Sequence, residues 1–173
     1  VVAGIGVVPN IEVIAAAGAA VADGVVVDGQ CRTTLPEVFA IGDCAFHPNR
    51  YSRRGAIRLE SVQNAMDQAT TVAKCIAGEF ATYDSMPWFW SDQYDLKLQI
   101  VGLALDSKEL VVRGNPETGK FAVFHLNAGH VVTVEAINSP PEFFAGKKLV
   151  GSGKTVDAAK LADTAVSLNE LMA

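Results

Sequence analysis

The sequence predicts an α/β segment followed by an α+β half that contains an antiparallel sheet. Short runs of β-branched residues alternate with a helical repeat as far as residue 82, which is typical of βα units. Beyond that point, several strand-like runs separated by turn signals are followed by helical segments. We therefore expect two domains, residues 1–82 and 83–173.

The composition limits the kinds of partner that the chain can have. Lys and Arg total 14 against 19 Asp and Glu, giving a net charge of -5, so nucleic acid is not an expected partner. No apolar run reaches the ~18 residues of a membrane-spanning helix, so no membrane span is expected. Because Val1 is not an initiator methionine and no charged segment precedes it, we expect the chain to begin inside a longer protein.

Cysteine and histidine patterns argue against a metal site. Three cysteines without a CxxC pair predict free thiols in a reducing compartment, the cytoplasm, rather than a zinc site. The three histidines, including His47, are scattered without metal-like spacing and are expected on the surface or in loops.

In the first half, apolar periodicity and turn residues place five elements. The pattern predicts a buried strand over residues 1–8 and a helix over 11–22. It then predicts a strand with a tight turn and a returning segment over 24–34, a second buried strand over 38–41 and a long helix over 60–77. The long helix carries apolar or small residues three and four apart, and Gly78 is its expected end.

In the second half, four strand-like runs are expected to form an antiparallel meander. They cover residues 96–105, 109–114, 120–126 and 130–137. Helices are then expected around residues 142–149 and 156–171.

The motif AIGDC places Gly42 and Asp43 directly after an apolar run. A carboxylate at such a position can accept hydrogen bonds from the hydroxyls of a ligand, and the glycine permits close approach. The same carboxylate can cap a turn or a helix, and the local pattern alone favours this second role.

The motif RLESVQNAMDQA places polar side chains at the start of the long helix. Ser61 is the expected N-cap, with Gln63 and Asn64 in the first turn and Gln68 further along. These amides suit the polar edge of a heterocycle at the positive end of the helix dipole, or simply an amphipathic helix.

The motif PWFWSDQY concentrates aromatic residues: Trp88, Phe89, Trp90 and Tyr94 fall within seven positions. Alternation along a strand would put the two tryptophans on one face and Phe89 on the other. The rings either pack in a core or flank a planar cofactor at an electron-transfer surface.

Two glycine motifs do not support a phosphate site. The GIG of residues 4–6 lacks the third glycine of a dinucleotide fingerprint, and Pro9 stands where its helix should begin. The GSGKT of residues 151–155 has Lys147 where a phosphate loop needs its first glycine.

Four motifs together, GIGVVPN, RTTLPEVFAIGDCA, RLESVQNAMDQA and PWFWSDQYDLKLQIVGL, resemble the C-terminal portion of bacterial FAD-dependent NAD(P)H:ferredoxin reductases. These reductases serve cytochrome P450 and ring-hydroxylating dioxygenase systems, and the group includes rhodocoxin and putidaredoxin reductases. The resemblance implies a glutathione-reductase-like FAD/NAD(P)-binding fold. Residues 1–82 would then hold the end of the NAD domain and the second FAD-binding segment, and residues 83–173 the C-terminal interface domain.

The resemblance also implies cofactor-binding residues. Asp43 would bind the ribityl chain of FAD, with Gly42 permitting its approach. The helix start would lie at the isoalloxazine ring and so implicate Val62, together with Ser61 and Gln63. It implies no catalytic side chain and no metal ligand in this chain.

Trp90 would, by the same resemblance, lie beside the flavin and face a [2Fe-2S] ferredoxin. NAD(P)H would be the electron donor of the full-length protein. Thr70 stands where related reductases often carry an arginine suited to an acidic ferredoxin, which leaves the partner surface less defined.

Two alternatives remain open from the sequence. The chain could belong to another flavoprotein of the superfamily, similar to apoptosis-inducing factor or monodehydroascorbate reductase, since these share the GD element. It could also be a non-catalytic interaction module that forms a homodimer through exposed strand edges.

Overall fold

A computed structural model describes residues 1–172 of the chain. The chain divides into two compact units, Val1–Ser85 and a second unit that begins at Met86. Each unit is described by itself below. None of the helices among the described residues is both long and apolar enough to cross a membrane.

The first unit is a small three-stranded sheet with two helices. Its elements in chain order are α1 (Glu12–Ala16), β1 (Val25–Val26), β2 (Ala45–Pro48), β3 (Ala56–Arg58) and α2 (Val62–Ile76). β2 is the central strand, parallel to β1 and antiparallel to β3. A 3₁₀ turn, Gly42–Cys44, leads directly into β2.

The strand expected at residues 1–8 is wrong, and the first helix is shorter than expected. Residues 1–8 are exposed and irregular, because no described segment pairs with them and a strand needs a hydrogen-bonded neighbour. Gly18 adopts a positive φ of 95° just after α1, which ends the helix well before residue 22.

The buried strand expected at residues 38–41 is also wrong. Phe39 forms a single isolated bridge with Arg32, and the Ala40 N–H donates to the carbonyl of Cys31 at 3.1 Å. The chain then turns at Gly42, and the strand that joins the sheet starts only at Ala45, opposite Val25. The apolar run therefore belongs to a loop that returns alongside Cys31 and Arg32. The regular strand, β2, follows Gly42 and Asp43 instead of preceding them.

Helix α2 matches the predicted long helix. Ser61 is its N-cap, and Gly78, with a φ of 84°, follows its end. Its buried face includes Asn64, Gln68 and Val72, so part of this face is polar.

The second unit is a five-stranded antiparallel sheet with three helices. Its elements are β4 (Trp88–Gln93), β5 (Leu96–Gly102), β6 (Glu109–Asn115), β7 (Lys120–Asn127), β8 (His130–Ile137), α3 (Pro140–Ser152), α4 (Ala158–Ala162) and α5 (Leu168–Met172). The antiparallel sheet expected in this half is therefore present.

The meander expected for its last four strands is wrong, because the strand order is β4-β5-β8-β7-β6. Only β6, β7 and β8 follow one another as a meander. β5 pairs with β8 through contacts such as Val101 opposite Val134, so the chain crosses to the far edge before β6. The result is a Greek-key order, which depends on pairing between strands distant in sequence.

The core of this unit lies between the sheet and α3. One row of facing residues runs across all five strands: Trp88, Val101, Val134, Phe124 and Val111. α3 lies close to this row at Gly146, where an added Cβ would stand 2.7 Å from a methyl group of Val134.

The C-terminal helices also differ from the prediction. α3 is longer than the expected 142–149, with Pro140 in its first turn. The helix expected over residues 156–171 is wrong, since two short helices form there. The buried Arg113 donates hydrogen bonds to the carbonyls of Leu161, Asp163 and Val166, and this ties the interrupted segment to β6.

Candidate cofactor site

The Gly42–Asp43 turn presents a carboxylate at the surface of the first unit. Gly42 is buried with a φ of 72°, a conformation that glycine adopts without strain. Asp43 is exposed, and among residues 1–172 its carboxylate has no hydrogen-bond or ion-pair partner. The carboxylate therefore does not act as a cap for the surrounding turn, and it is available to a ligand.

Two side chains hold this turn from opposite directions. The Gly42 N–H donates to Oε1 of Gln68 on α2 at 2.7 Å. Nη1 of Arg58 on β3 donates to the Asp43 carbonyl oxygen at 3.2 Å. The turn also lies close to α2, since a Cβ added at Gly42 would meet that of Ala65 at 3.4 Å.

Arg58 is itself fixed by two carboxylates. Its guanidinium pairs with Glu60 and, at 3.6 Å, with Asp23, while only 12% of the side chain is exposed. The hydrogen bond with Glu60, aided by the charge of Asp23, raises the pKa of Arg58. The guanidinium is therefore charged at neutral pH.

An open cavity of about 400 Å³ lies beside the turn. Its lining combines carboxylate, hydroxyl and apolar groups from Asp43, Glu60, Ser61, Val62, Ala65 and Met66. Val62 is 56% exposed and Met66 65% exposed, so the start of α2 offers an uncovered apolar surface next to the carboxylate. This pairing suits a ligand with a flat apolar part and neighbouring hydroxyls.

Ser61 makes the start of α2 a defined helix terminus. Its hydroxyl accepts a hydrogen bond from the Asn64 N–H at 3.1 Å. No acidic residue occupies the first turn of α2, so the positive end of its dipole is not neutralised there. The polar edge of a ligand ring at this position would lie in a favourable field.

The amides of Gln63 and Asn64 point away from this surface. Gln63 is buried and donates to the carboxylate of Asp67 one turn later. The Asn64 side chain is fully buried and donates to the carbonyl of Leu59 at 3.0 Å. A contact between a ligand and the Gln63 side chain therefore stays a prediction.

The interior of this unit contains titratable groups that are kept neutral. Burial raises the pKa of the Cys31 thiol and of the Tyr83 phenol, each to about 12. Burial lowers the pKa of His47, whose ring packs edge-on against Tyr83 at 5.1 Å. His47 is 1% exposed on β2, so its expected surface position is wrong, because its ring faces the interior of the sheet.

Trp90 lies in the second unit, on edge strand β4. It is 46% exposed and stacks on Trp88, with ring centroids 5.1 Å apart and an angle of 29° between the planes. The ammonium of Lys147 lies 4.7 Å from the Trp88 ring centre. The two tryptophans share a strand face, as alternation predicts.

A second open cavity, of about 450 Å³, borders these rings. It is lined by Trp88, Trp90, Asp92, Lys97, Leu98, Gln99 and Pro140. Lys97 stands opposite Asp92 across the β4–β5 pair, so an aromatic face and charges of both signs share this surface. Such a surface suits a protein partner more than a small substrate.

Among the predicted residues, Asp43, Ser61 and Val62 line one cavity and Gly42 supports it. Sequence reasoning missed the contacts of Arg58 and Gln68 with the turn. Both residues stand within the RLESVQNAMDQA motif, but nothing in a local pattern indicates a partner 15 or 26 positions away.

Comparison with known families identifies both units. Residues 1–69 match the family described as pyridine nucleotide-disulphide oxidoreductase, and residues 88–172 match the family described as reductase C-terminal. Together the two matches define a class of flavoprotein-type reductase and confirm the predicted fold class.

Comparison with individual proteins narrows this class of reductase to those that act with ferredoxins or related partners. The ferredoxin reductase subunit of 5,5'-dehydrodivanillate O-demethylase from Sphingobium sp. is 50% identical over the whole chain, which covers 42% of that protein. The crystal structure of the ferredoxin reductase for the CYP199A2 system from Rhodopseudomonas palustris superimposes with a TM-score of 0.88 at 42% identity, over 98% of this chain and 42% of that one.

The covalent putidaredoxin reductase–putidaredoxin complex superimposes with a TM-score of 0.89 at 36% identity, over 98% of this chain and 40% of that chain. The chain spans about two fifths of the length of these relatives. It belongs to the family of bacterial ferredoxin reductases and matches their C-terminal portion.

Proposed function

We propose that this chain is the C-terminal part of a reductase that passes electrons from NAD(P)H through FAD to a [2Fe-2S] ferredoxin. The observation that carries the proposal is the exposed Asp43 carboxylate, which has no partner among the described residues and borders an apolar helix start. The likeness to ferredoxin reductases over nearly the whole chain supports it.

The residues at the first cavity fit the ribityl and isoalloxazine parts of FAD. Asp43 would accept hydrogen bonds from the ribityl hydroxyls, and Gly42 leaves room for that approach. Val62 would offer an apolar contact for the ring, and Ser61 caps the helix start that carries Val62. The glycine-rich loops that hold a pyrophosphate have no counterpart in this sequence, so we expect the isolated chain to bind FAD poorly.

Bound FAD would supply the redox chemistry, accepting a hydride and releasing single electrons. The chain's own residues would bind and orient the cofactor, and apolar Val62 and Met66 would exclude water from its surface. Accordingly we assign no side chain of this chain as an acid, a base or a nucleophile.

The second unit would meet the ferredoxin. Trp90 offers a large, rigid ring that is half exposed, and Lys97 on the same cavity offers a positive charge to an acidic partner. Putidaredoxin reductase, with which this chain shares 39% identity, has been captured as a covalent complex with putidaredoxin. The aromatic surface is our proposed docking site.

We assign the first unit to the end of the NAD domain and the second segment of the FAD domain, and the second unit to the interface domain. The pattern of three cysteines leads us to propose a reducing compartment, the cytoplasm. Both assignments rest on the family resemblance and on residue pattern.

Steady-state electron transfer by the full-length reductase containing this chain tests the function. With NADH or NADPH as donor, we expect a [2Fe-2S] ferredoxin to be reduced, and Trp90→Ala to lower kcat/KM about tenfold. Tyr94→Asn, which removes a fully exposed ring on the adjacent turn, serves as the control and should leave the rate unchanged. Failure to reduce any ferredoxin of a panel, with reduction of ascorbyl radical instead, would favour the monodehydroascorbate-reductase alternative.

Self-association through β6 is a second candidate. Within residues 1–172, β6 pairs with β7 alone, and its side chains Leu110 and Val112 are 61% and 44% exposed. An edge strand with exposed apolar residues can pair with a second copy. Light scattering should then give the mass of a dimer, and Val112→Lys should reduce it to that of a monomer. A monomer at all protein concentrations would exclude this candidate.

A further inference from the structure

We propose that Gln68 is a positioning residue for the cofactor: its side chain fixes the Gly42–Asp43 turn so that the Asp43 carboxylate faces the ligand. The inference rests on the proposed function, because the ligand is FAD. Arg58 supports the same turn from the opposite side.

The first argument is the geometry of the contact. Oε1 of Gln68 accepts from the Gly42 N–H at 2.7 Å, a short hydrogen bond that is buried on both sides. Gln68 is 0% exposed and sits within the rigid α2 helix, two turns after its N-cap. The bond therefore ties the turn to the same helix whose start lines the cavity.

The second argument is the cost of placing an amide there. Oε1 accepts from the Gly42 N–H, whereas the Nε2 group of Gln68 is buried with no hydrogen-bond partner among the described residues. An orphaned buried donor destabilises the fold, and an apolar side chain of the same length would avoid this. Glutamine at this position is thus explained by its contact with the turn better than by packing.

The third argument is that hydrogen bonds hold the backbone of the turn at both ends, at the Gly42 N–H and at the Asp43 carbonyl. Gln68 holds the N–H of Gly42, and Nη1 of Arg58 holds the carbonyl of Asp43 at 3.2 Å. Arg58 is in turn anchored by Glu60 and Asp23. With both of these backbone groups held, the turn keeps the exposed Asp43 side chain on the lining of the cavity.

The experiment measures FAD affinity and amide hydrogen exchange in the full-length reductase containing this chain. Gln68→Met keeps the side-chain length and removes the acceptor, so we expect FAD affinity to fall about tenfold and the Gly42 amide to exchange at least tenfold faster. Gln68→Glu keeps an acceptor oxygen and should restore both properties. Thr71→Val is the matched control, because Thr71 is buried on the same helix and its hydroxyl donates to the Asp67 carbonyl instead of the turn.

The outcomes separate the two proposals. If the wild-type reductase binds no FAD, the proposed function fails and this inference fails with it. If the wild type binds FAD but Gln68→Met behaves like Thr71→Val in affinity and in Gly42 exchange, only the inference fails. Fast exchange of the Gly42 amide in the wild type would also overturn it, and this measurement needs no variant to fold.

Discussion

At the residue scale, the sites that a local pattern could predict are those whose role depends on neighbours in sequence. Ser61 as a helix N-cap and Gly42 as a turn residue before a carboxylate both follow from residue type and spacing. The contacts of Arg58 and Gln68 with the turn could not be predicted, because they depend on how β3 and α2 pack around it.

His47 makes the stability of the protein depend on pH. Burial lowers its pKa below the 6.5 of an exposed imidazole, so the unfolded chain binds a proton more readily than the folded one. Stability from this group is complete above pH 6.5 and falls as the pH drops below that value. Urea unfolding at pH 7.5 and 5.5 should reveal a loss of up to about 1.4 kcal/mol that His47→Gln abolishes.

The comparison between the two proteins isolates His47, because every other histidine of the chain is present in both. An equal loss of stability between pH 7.5 and 5.5 in the wild type and in His47→Gln would contradict the assignment.

Arg113 should contribute strongly to the stability of the second unit. It is 5% exposed and donates to three carbonyls, while Glu142 lies 3.6 Å from its Nε. Arg113→Lys keeps the charge, but one ammonium cannot replace the planar fork of donors, so we expect a loss of about 2–3 kcal/mol. Urea unfolding measures the loss, and the exposed Arg53→Lys, expected to cost under about 0.5 kcal/mol, is the control.

At the scale of elements, helical spacing predicted the position and length of α2. It did not predict which face is buried, because apolar residues that carry the spacing, such as Val62 and Met66, are exposed. The buried face includes the polar Asn64 and Gln68 instead. Strand existence in the second half was also predictable from alternation and turn residues. Strand order was not, because pairing of β5 with β8 is a contact between distant segments that no local pattern records. The break between α4 and α5 likewise depends on Arg113, which lies about 50 positions earlier.

The close packing of α3 on the sheet gives a paired prediction. In Gly146→Ala the new methyl group would stand 2.7 Å from Cγ2 of Val134, in the core, so we expect a loss of about 1–3 kcal/mol. In Gly151→Ala, on the same helix, it would meet only the flexible end of Met86, and the better helix propensity of alanine should leave stability equal or higher.

Thermal unfolding of both variants measures this difference. Equal midpoints for Gly146→Ala and the wild type would mean that α3 does not lie as close to β8 as the structure describes.

At the scale of the whole molecule, the order of motifs along the chain was more informative than any single motif. GD elements, capped helices and tryptophan pairs each have several uses, and the local pattern around Asp43 taken alone favoured a cap over a ligand. Their succession predicted a ferredoxin reductase, and the family matches to both units confirm that resemblance. The departures from prediction, residues 1–8 and the strand order of the second sheet, lie where pairing between segments decides the structure.

The FAD content of the full-length reductase containing this chain tests the central claim most directly. We expect the wild-type protein to bind one FAD per chain, as measured by visible absorbance, and Asp43→Ala to weaken FAD binding at least tenfold. Glu79→Gln, which neutralises another exposed carboxylate of the same unit, should leave FAD binding unchanged. Equal FAD affinity in Asp43→Ala and the wild type would contradict the claim that this carboxylate holds the cofactor.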